Sequence, residues 1–275
     1  MGSLGIPKVG WLAKLGITPQ NREYSFYDTK LDNHIEYAFQ ALALDESRLS
    51  FTPAVWERPA GVKTVLKQCW FPGVHSDIGG GHEDADLSNI TLAWMMSQLN
   101  GLIDFDEEFL PDEYQDNLDF YNSKGMKPRS WGLGLIQPST SFIFSLAGKD
   151  VRSPGRYHEV DPVTTEPTVV PLEDTNESIH ASVRVRYGQP GLGPHDKGPY
   201  LPPSLKHLIL KDNVKATASG GEAVSGSEPA VVWEMTGKKD GPAMLPEHDI
   251  GDFEKRLLRR YPDAWQKVMG SPLTE

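Results

Sequence analysis

The sequence predicts an α/β fold, a parallel sheet with flanking helices followed by a loop-rich C-terminal region. Three features carry this expectation. The run Val65-Leu66-Lys67-Gln68-Cys69-Trp70-Phe71 is β-compatible and closed by Pro72-Gly73. Its dense apolar end suits a strand covered on both faces, as parallel strands are. A glycine-rich stretch, Gly73 to Gly81, follows at once, and a helix is expected over about residues 87–99, with Ile90, Trp94, Met95 and Leu99 turned to a core. Strand, glycine loop and helix make half of a βαβ unit.

The other elements are read in order. Leu31, Ile35, Ala38, Phe39 and Leu42 recur at helical spacing, so a helix is expected over residues 30–45, with Thr29 and Asp32 as its capping box. Residues 51–56 read as extended, although Pro53 bars a central strand position. The acidic stretch 104–119 reads as a helix with a solvated face. From 127 to 187 the pattern is turns and short extended pieces. Residues 188–204 are rich in Gly and Pro, and the Ala/Ser/Gly/Glu composition of 215–229 predicts a mobile loop. Short strands are expected at 206–210 and 230–235, and an amphipathic helix at 248–260. The expected division is therefore 1–187 as the main α/β portion, 188–229 as loops, and 230–275 as a short strand and terminal helix.

Bulk composition narrows the function. The 38% hydrophobic content supports a packed core, while 26 Gly and 22 Pro mean much loop. A net charge of −11 argues against a nucleic-acid partner, whose phosphates need a basic surface. No apolar run reaches the roughly 18 residues of a membrane span. The first residues lack the charged start and apolar stretch of a secretory signal. The one cysteine, Cys69, fits a reducing compartment. A cytoplasmic setting is expected.

Candidate chemistry concentrates in Gly73–Gly81. A histidine just past a strand end lies where open α/β sheets place their sites, and an imidazole is the usual base for activating a hydroxyl. His75 is thus a candidate general base, with Asp77 either orienting it or bonding the loop backbone. Gly79, Gly80 and Gly81 can bring backbone N–H groups close to an anion or oxyanion. The plainer reading of the same residues is a structural turn into a helix. His75, Asp77, His82, Glu83, Asp84 and Asp86 offer many metal donors, but their spacing matches no metal signature and helix capping accounts for the acids, so neither metal nor cofactor is expected. No serine stands in the Gly-x-Ser-x-Gly pattern of a hydrolase nucleophile elbow, and Cys69 inside an apolar strand is a poor thiolate.

The runs Ala41-Leu42-Ala43-Leu44-Asp45-Glu46 with Arg48 and Phe51, Trp70 to Gly81, and Leu87-Ser88 to Trp94-Met95 resemble one family. This is the uncharacterised α/β-hydrolase domain (domain of unknown function 2235) similar to the catalytic domain of type VI secretion phospholipase effectors, in its fungal form. Ala147-Gly148, Arg152 to Tyr157 and Glu177 to Arg184 also fit that form. The resemblance is dense over about 1–100 and patchy to about 187. It implies a Rossmann-like α/β-hydrolase core whose serine elbow and acid-bearing strand precede a Gly-Ser-Leu-Gly-Ile-Pro segment, here Gly2 to Pro7. Both are then expected upstream of Met1, making this chain the C-terminal portion of the domain. An isolated chain should expose the apolar edge of 65–71 and depend on the missing half or on a partner.

By that resemblance His75 is the triad base with Asp77 in support, and His180, in Ile179-His180-Ala181-Ser182, is the rival base. An ester or lipid is the implied substrate. The alternative is a non-catalytic binding remnant of the fold. Whether the chain is an enzyme by itself stays open at this point.

Overall fold

A computed structural model describes residues 29–137, 149–161, 164, 167–212, 231–237 and 242–273. Its centre is a three-stranded parallel sheet. The first strand, β1 (Tyr37–Ala43), pairs in parallel with β2 (Val65–Phe71) from Tyr37↔Val65 to Ala43↔Phe71. After β2 come a one-and-a-half-turn helix, α1 (His75–Gly79), a longer α2 (Asp86–Leu99) and α3 (Phe109–Ser123). A small antiparallel pair, β3 (His158–Val160) with β4 (Pro167–Pro171), precedes β5 (Glu177–Ile179), which adds to β2 on the side away from β1.

Helix α4 (Ala181–Arg186) leaves β5 directly. An antiparallel sheet of β6 (Leu208–Asp212), β7 (Val231–Met235) and β8 (Met244–Pro246) follows, then α5 (Asp252–Leu258) and α6 (Pro262–Met269). The α/β class, with a parallel sheet and flanking helices, is as the sequence led us to expect.

The expected helix over 30–45 is instead a loop and the strand β1. Two strand faces are both covered here, so Ala38 and Leu42 are buried on one side while Phe39, Ala41 and Ala43 pack on the α2 side. A strand apolar on both faces loses its two-residue period and mimics a helical stripe. Ile35, placed on that stripe, is solvent-exposed, and Asp32 accepts a hydrogen bond from the His34 N–H at 2.9 Å in a turn.

This changes which strand ends the sheet. Residues 65–71, expected as the open edge, form the middle strand; among the described residues the outer strands are β1 and β5. The C-terminal helix also differs, being interrupted after Leu258 and restarting at Pro262, where proline suits a first helical turn. The expected loop at 215–229 lies outside the described residues. Among the described residues no helix is long and apolar enough to cross a membrane.

The C-terminal helices complete the main core. Phe253, Leu257, Leu258 and Trp265 join Phe71 and Trp94 in one buried cluster. A backbone bond from the His248 N–H to Ile179 O at 2.9 Å, and a parallel bridge between Ile179 and Glu247, fasten the end of the chain to β5.

Candidate active site

The chain reverses direction immediately after β2, and Gly73 makes that possible. Its φ is +114°, and a Cβ there would lie 2.7 Å from the Asp77 Cβ, inside any permitted contact. Val74 stays extended, and His75 opens α1 at the carboxyl end of the middle strand.

His75 is half-buried and lines a cavity of about 450 Å³ together with Gln40, Glu46, Phe51, Ile78 and Arg152. Among the described residues neither imidazole nitrogen has a hydrogen-bond partner. The ring meets Phe51 edge-on at 4.5 Å between centroids. Burial lowers the His75 pKa, the nearby Glu46 carboxylate opposes that, and the Arg48 cation adds to it. The ring is therefore neutral at pH 7, the form a general base needs.

Glu46 is the residue around which this wall is built. Its carboxylate is almost fully buried and accepts the Arg48 backbone N–H (2.9 Å), Arg48 Nε (2.9 Å) and Nη2 (2.5 Å), and more weakly the His75 N–H (3.3 Å). Burial by itself would raise its pKa; the bonds from Arg48 and His75 outweigh that and hold it below the usual value. Arg48 in turn lies 3.9 Å over the Phe51 ring, so one salt bridge stacks the aromatic that touches His75. Arg152, also buried, donates to Asp150 Oδ2 at 3.0 Å and to the Arg48 carbonyl at 2.9 Å, closing the far side.

Of the two roles open to Asp77, the structure shows the backbone one. Its carboxylate accepts the Val74 N–H (2.8 Å) and the Gln137 N–H (3.3 Å), capping α1. Burial first, then repulsion from Asp45 and Asp84, push its pKa up to about 7. Gly79 and Gly80 line a second cavity of about 460 Å³ with Phe39, Trp56, Leu92 and Met95. Gly80 and Gly81 have φ of +81° and +118°. The two cavities share Gln40, Ala41 and Ile78, so they run side by side along β1.

His180 also stands at a strand end, as the residue before α4, but in a different environment. It is fully buried, stacked on Phe71 at 4.4 Å and beside Trp131 at 5.6 Å. Its Nδ1 accepts the Ser182 N–H (3.2 Å) and hydroxyl (2.7 Å), which leaves the proton on Nε2, donated to Glu254 at 2.8 Å. Serine, histidine and glutamate thus form a chain like that of a hydrolase triad, yet Ser182 and Glu254 are as inaccessible as the ring. No bond or ring contact connects His180 with His75.

The acids after the glycines are occupied by main-chain and tyrosine donors. Asp84 takes Tyr121 OH and the Leu135 N–H, and Asp86 takes the Gly134 N–H and Tyr261 OH. His82 pairs with Ser76 Oγ at 2.9 Å. Among the described residues no three His, Cys, Asp or Glu side chains gather as a metal site. The described lining of the His75 cavity contains no serine, threonine or cysteine.

Sequence reading gave Glu46, Arg48 and Phe51 no role. The signal that would have found them is position: two carboxylates directly after a strand, once 37–43 is read as a strand.

The geometry is that of an α/β fold with a histidine at the carboxyl edge of a parallel sheet. Residues 1–98 match the sequence model of a family described as the catalytic domain of type VI secretion system Tle1-like phospholipase effectors. Over 91 residues the chain is also 33% identical to the uncharacterized protein YEL023C of Saccharomyces cerevisiae, a stretch covering 30% of this chain and 11% of that protein. No solved structure matches.

Proposed function

We propose that this chain carries the base-bearing part of a serine-type ester hydrolase acting on a lipid ester, with His75 as general base. The observation that carries this reading is the neutral imidazole of His75, without a hydrogen-bond partner among the described residues and lining a cavity at the carboxyl end of the middle strand. The similarity of residues 1–98 to a phospholipase effector domain supports the same substrate class. His75 takes the proton of an attacking serine hydroxyl and returns it to the leaving alcohol. The backbone amides of Gly79, Gly80 and Gly81 are assigned to the oxyanion in this reading; Gly79 and Gly80 line the cavity beside that of His75. Asp77 supports the base by capping its helix. His180 is the rival base, set back by its burial.

The serine comes from a segment seated along β1, the strand that both cavities follow and that ends the sheet among the described residues. A cytoplasmic setting agrees with Cys69, a buried free thiol. One observation favours a second reading, a binding module without catalysis: the described lining of the His75 cavity holds no nucleophile.

The test is to express the chain together with the coding sequence preceding Met1 and to measure release of a fluorescent fatty-acyl ester. Activity lost in His75→Ala and kept in a folded His180 variant is expected. A folded, extended protein that neither turns over esters nor reacts with a fluorophosphonate probe removes the hydrolase reading and leaves the binding one.

A further inference from the structure

Residues 131–137 belong to no helix or strand, yet charged side chains hold them from both sides. Three aspartates accept their amide groups: Asp86 from Gly134 (2.9 Å), Asp84 from Leu135 (2.9 Å) and Asp77 from Gln137 (3.3 Å). Arg186, fully buried, donates to the carbonyls of Gly132 (3.1 Å) and Gly134 (2.7 Å), and Arg129 reaches Leu133 O at 3.3 Å. The fit at Gly134 is close, since a Cβ there would lie 2.8 Å from the Asp86 Cβ. Trp131 and Ile136 bury the two ends of the segment.

We propose that residues 131–137 form a strap that is fastened in mildly acidic solution and released in mildly alkaline solution, loosening one of the two main-chain anchors of Asp77, the cap of the His75 helix. The groups facing the strap decide the sign. Asp45, Asp77, Asp84 and Asp86 converge from the end of β1, from α1 and from the start of α2. Tyr121 of α3, Tyr200 and Tyr261 supply neutral hydroxyls to three of them. The cations are Arg186 and Arg129, and Arg129 is already paired with Asp196. Burial, then repulsion from Asp84, raises the Asp86 pKa to about 7, where Asp77 also stands.

An acid whose pKa is raised on folding holds its proton in the closed state, so closure is favoured below that pKa and disfavoured as pH rises through it. For a carboxyl that regains the ordinary value of 3.8 on opening, moving from pH 6 to pH 8 favours opening by about tenfold. The amide donors to the carboxylates temper this without reversing it.

Hydrogen exchange read by mass spectrometry tests the strap apart from any catalysis. Rates for peptides covering 131–137 are taken at pH 6 and pH 8, each divided by the unfolded-chain rate at that pH, with β2 peptides as reference. Strap protection should fall at least tenfold at pH 8 while β2 stays unchanged. Asp86→Asn keeps an oxygen for Gly134 but cannot ionise, so it should reduce the fall, and Asp77→Asn with Asp86→Asn should abolish it. Equal strap protection at both pH values in the unaltered protein overturns the proposal. So does a loss shared in step by β2, or a fall as large in Asp86→Asn.

Discussion

Replacing His180 by alanine separates the two histidines by stability. The imidazole is wholly buried and donates to the Glu254 carboxylate at 2.8 Å. A hydrogen bond to a charged group contributes about 1.5–3 kcal/mol. The same ring accepts the Ser182 N–H at the start of α4, and losing such a cap costs about 0.5–2 kcal/mol. Its stacking on Phe71 adds roughly 0.5–1.5 kcal/mol. These terms are not strictly additive, and a total of about 3–5 kcal/mol agrees with the cost of stripping one partner from a buried charge. At roughly 2–4 °C per kcal/mol for a chain of this size class, the melting temperature should fall by about 6–20 °C. His75→Ala, at a half-buried ring without a hydrogen bond, should stay within about 1 kcal/mol of the unaltered protein. The assay is thermal and urea unfolding followed by tryptophan fluorescence. A His180→Ala protein melting within about 2 °C of the parent, or a His75→Ala protein falling as far, would refute this assignment of roles.

Three further outcomes follow from the same geometry. Glu46→Gln removes the charge that favours protonated His75, so the imidazole should titrate at still lower pH; Arg48→Ala should move it upward, and both are read from the His75 Cε1 proton by NMR. Gly73→Ala combines a φ of +114° with a 2.7 Å approach to Asp77, and should cost more than about 2 kcal/mol in urea unfolding, and more than alanine at exposed Gly125, where φ is +64° but an added Cβ meets nothing within 4 Å. Gln40 Oε1 is buried without a hydrogen-bond partner among the described residues, so Gln40→Leu should raise stability by about 1 kcal/mol; a drop in denaturation midpoint would show that the carboxamide has a structural role.

What the sequence made legible was what short-range pattern controls. β2 and α2 follow from an apolar run, a Pro-Gly stop and a helical stripe, and the position of His75 follows from β2. β1 was misread because Ala38-Phe39-Gln40-Ala41-Leu42-Ala43 presents small or apolar residues to both faces, which erases the alternation that separates strand from helix. That misreading hid Glu46, since a carboxylate gains meaning here only as the residue just past a strand end. The burial of His180 was hidden for another reason. Its partner Glu254 is 74 residues away, and no local pattern specifies such a pairing. For Asp77 the sequence left two roles open, and the bonds its carboxylate makes to the Val74 and Gln137 N–H groups could be placed only once the turn and residues 131–137 were seen together.

The seam between the chain's beginning and its end has a practical consequence for proteolysis. α5 and α6 fill the core under α2, Arg184 grips Glu247 through two bonds of 2.7 and 2.8 Å, and β7 lies against β6. A protease cut between residues 212 and 231 would therefore yield two fragments that co-elute under native conditions and part only in denaturant. Ending translation at 187 would be far more damaging, because it strips the lid from Trp94 and leaves His180 without its carboxylate.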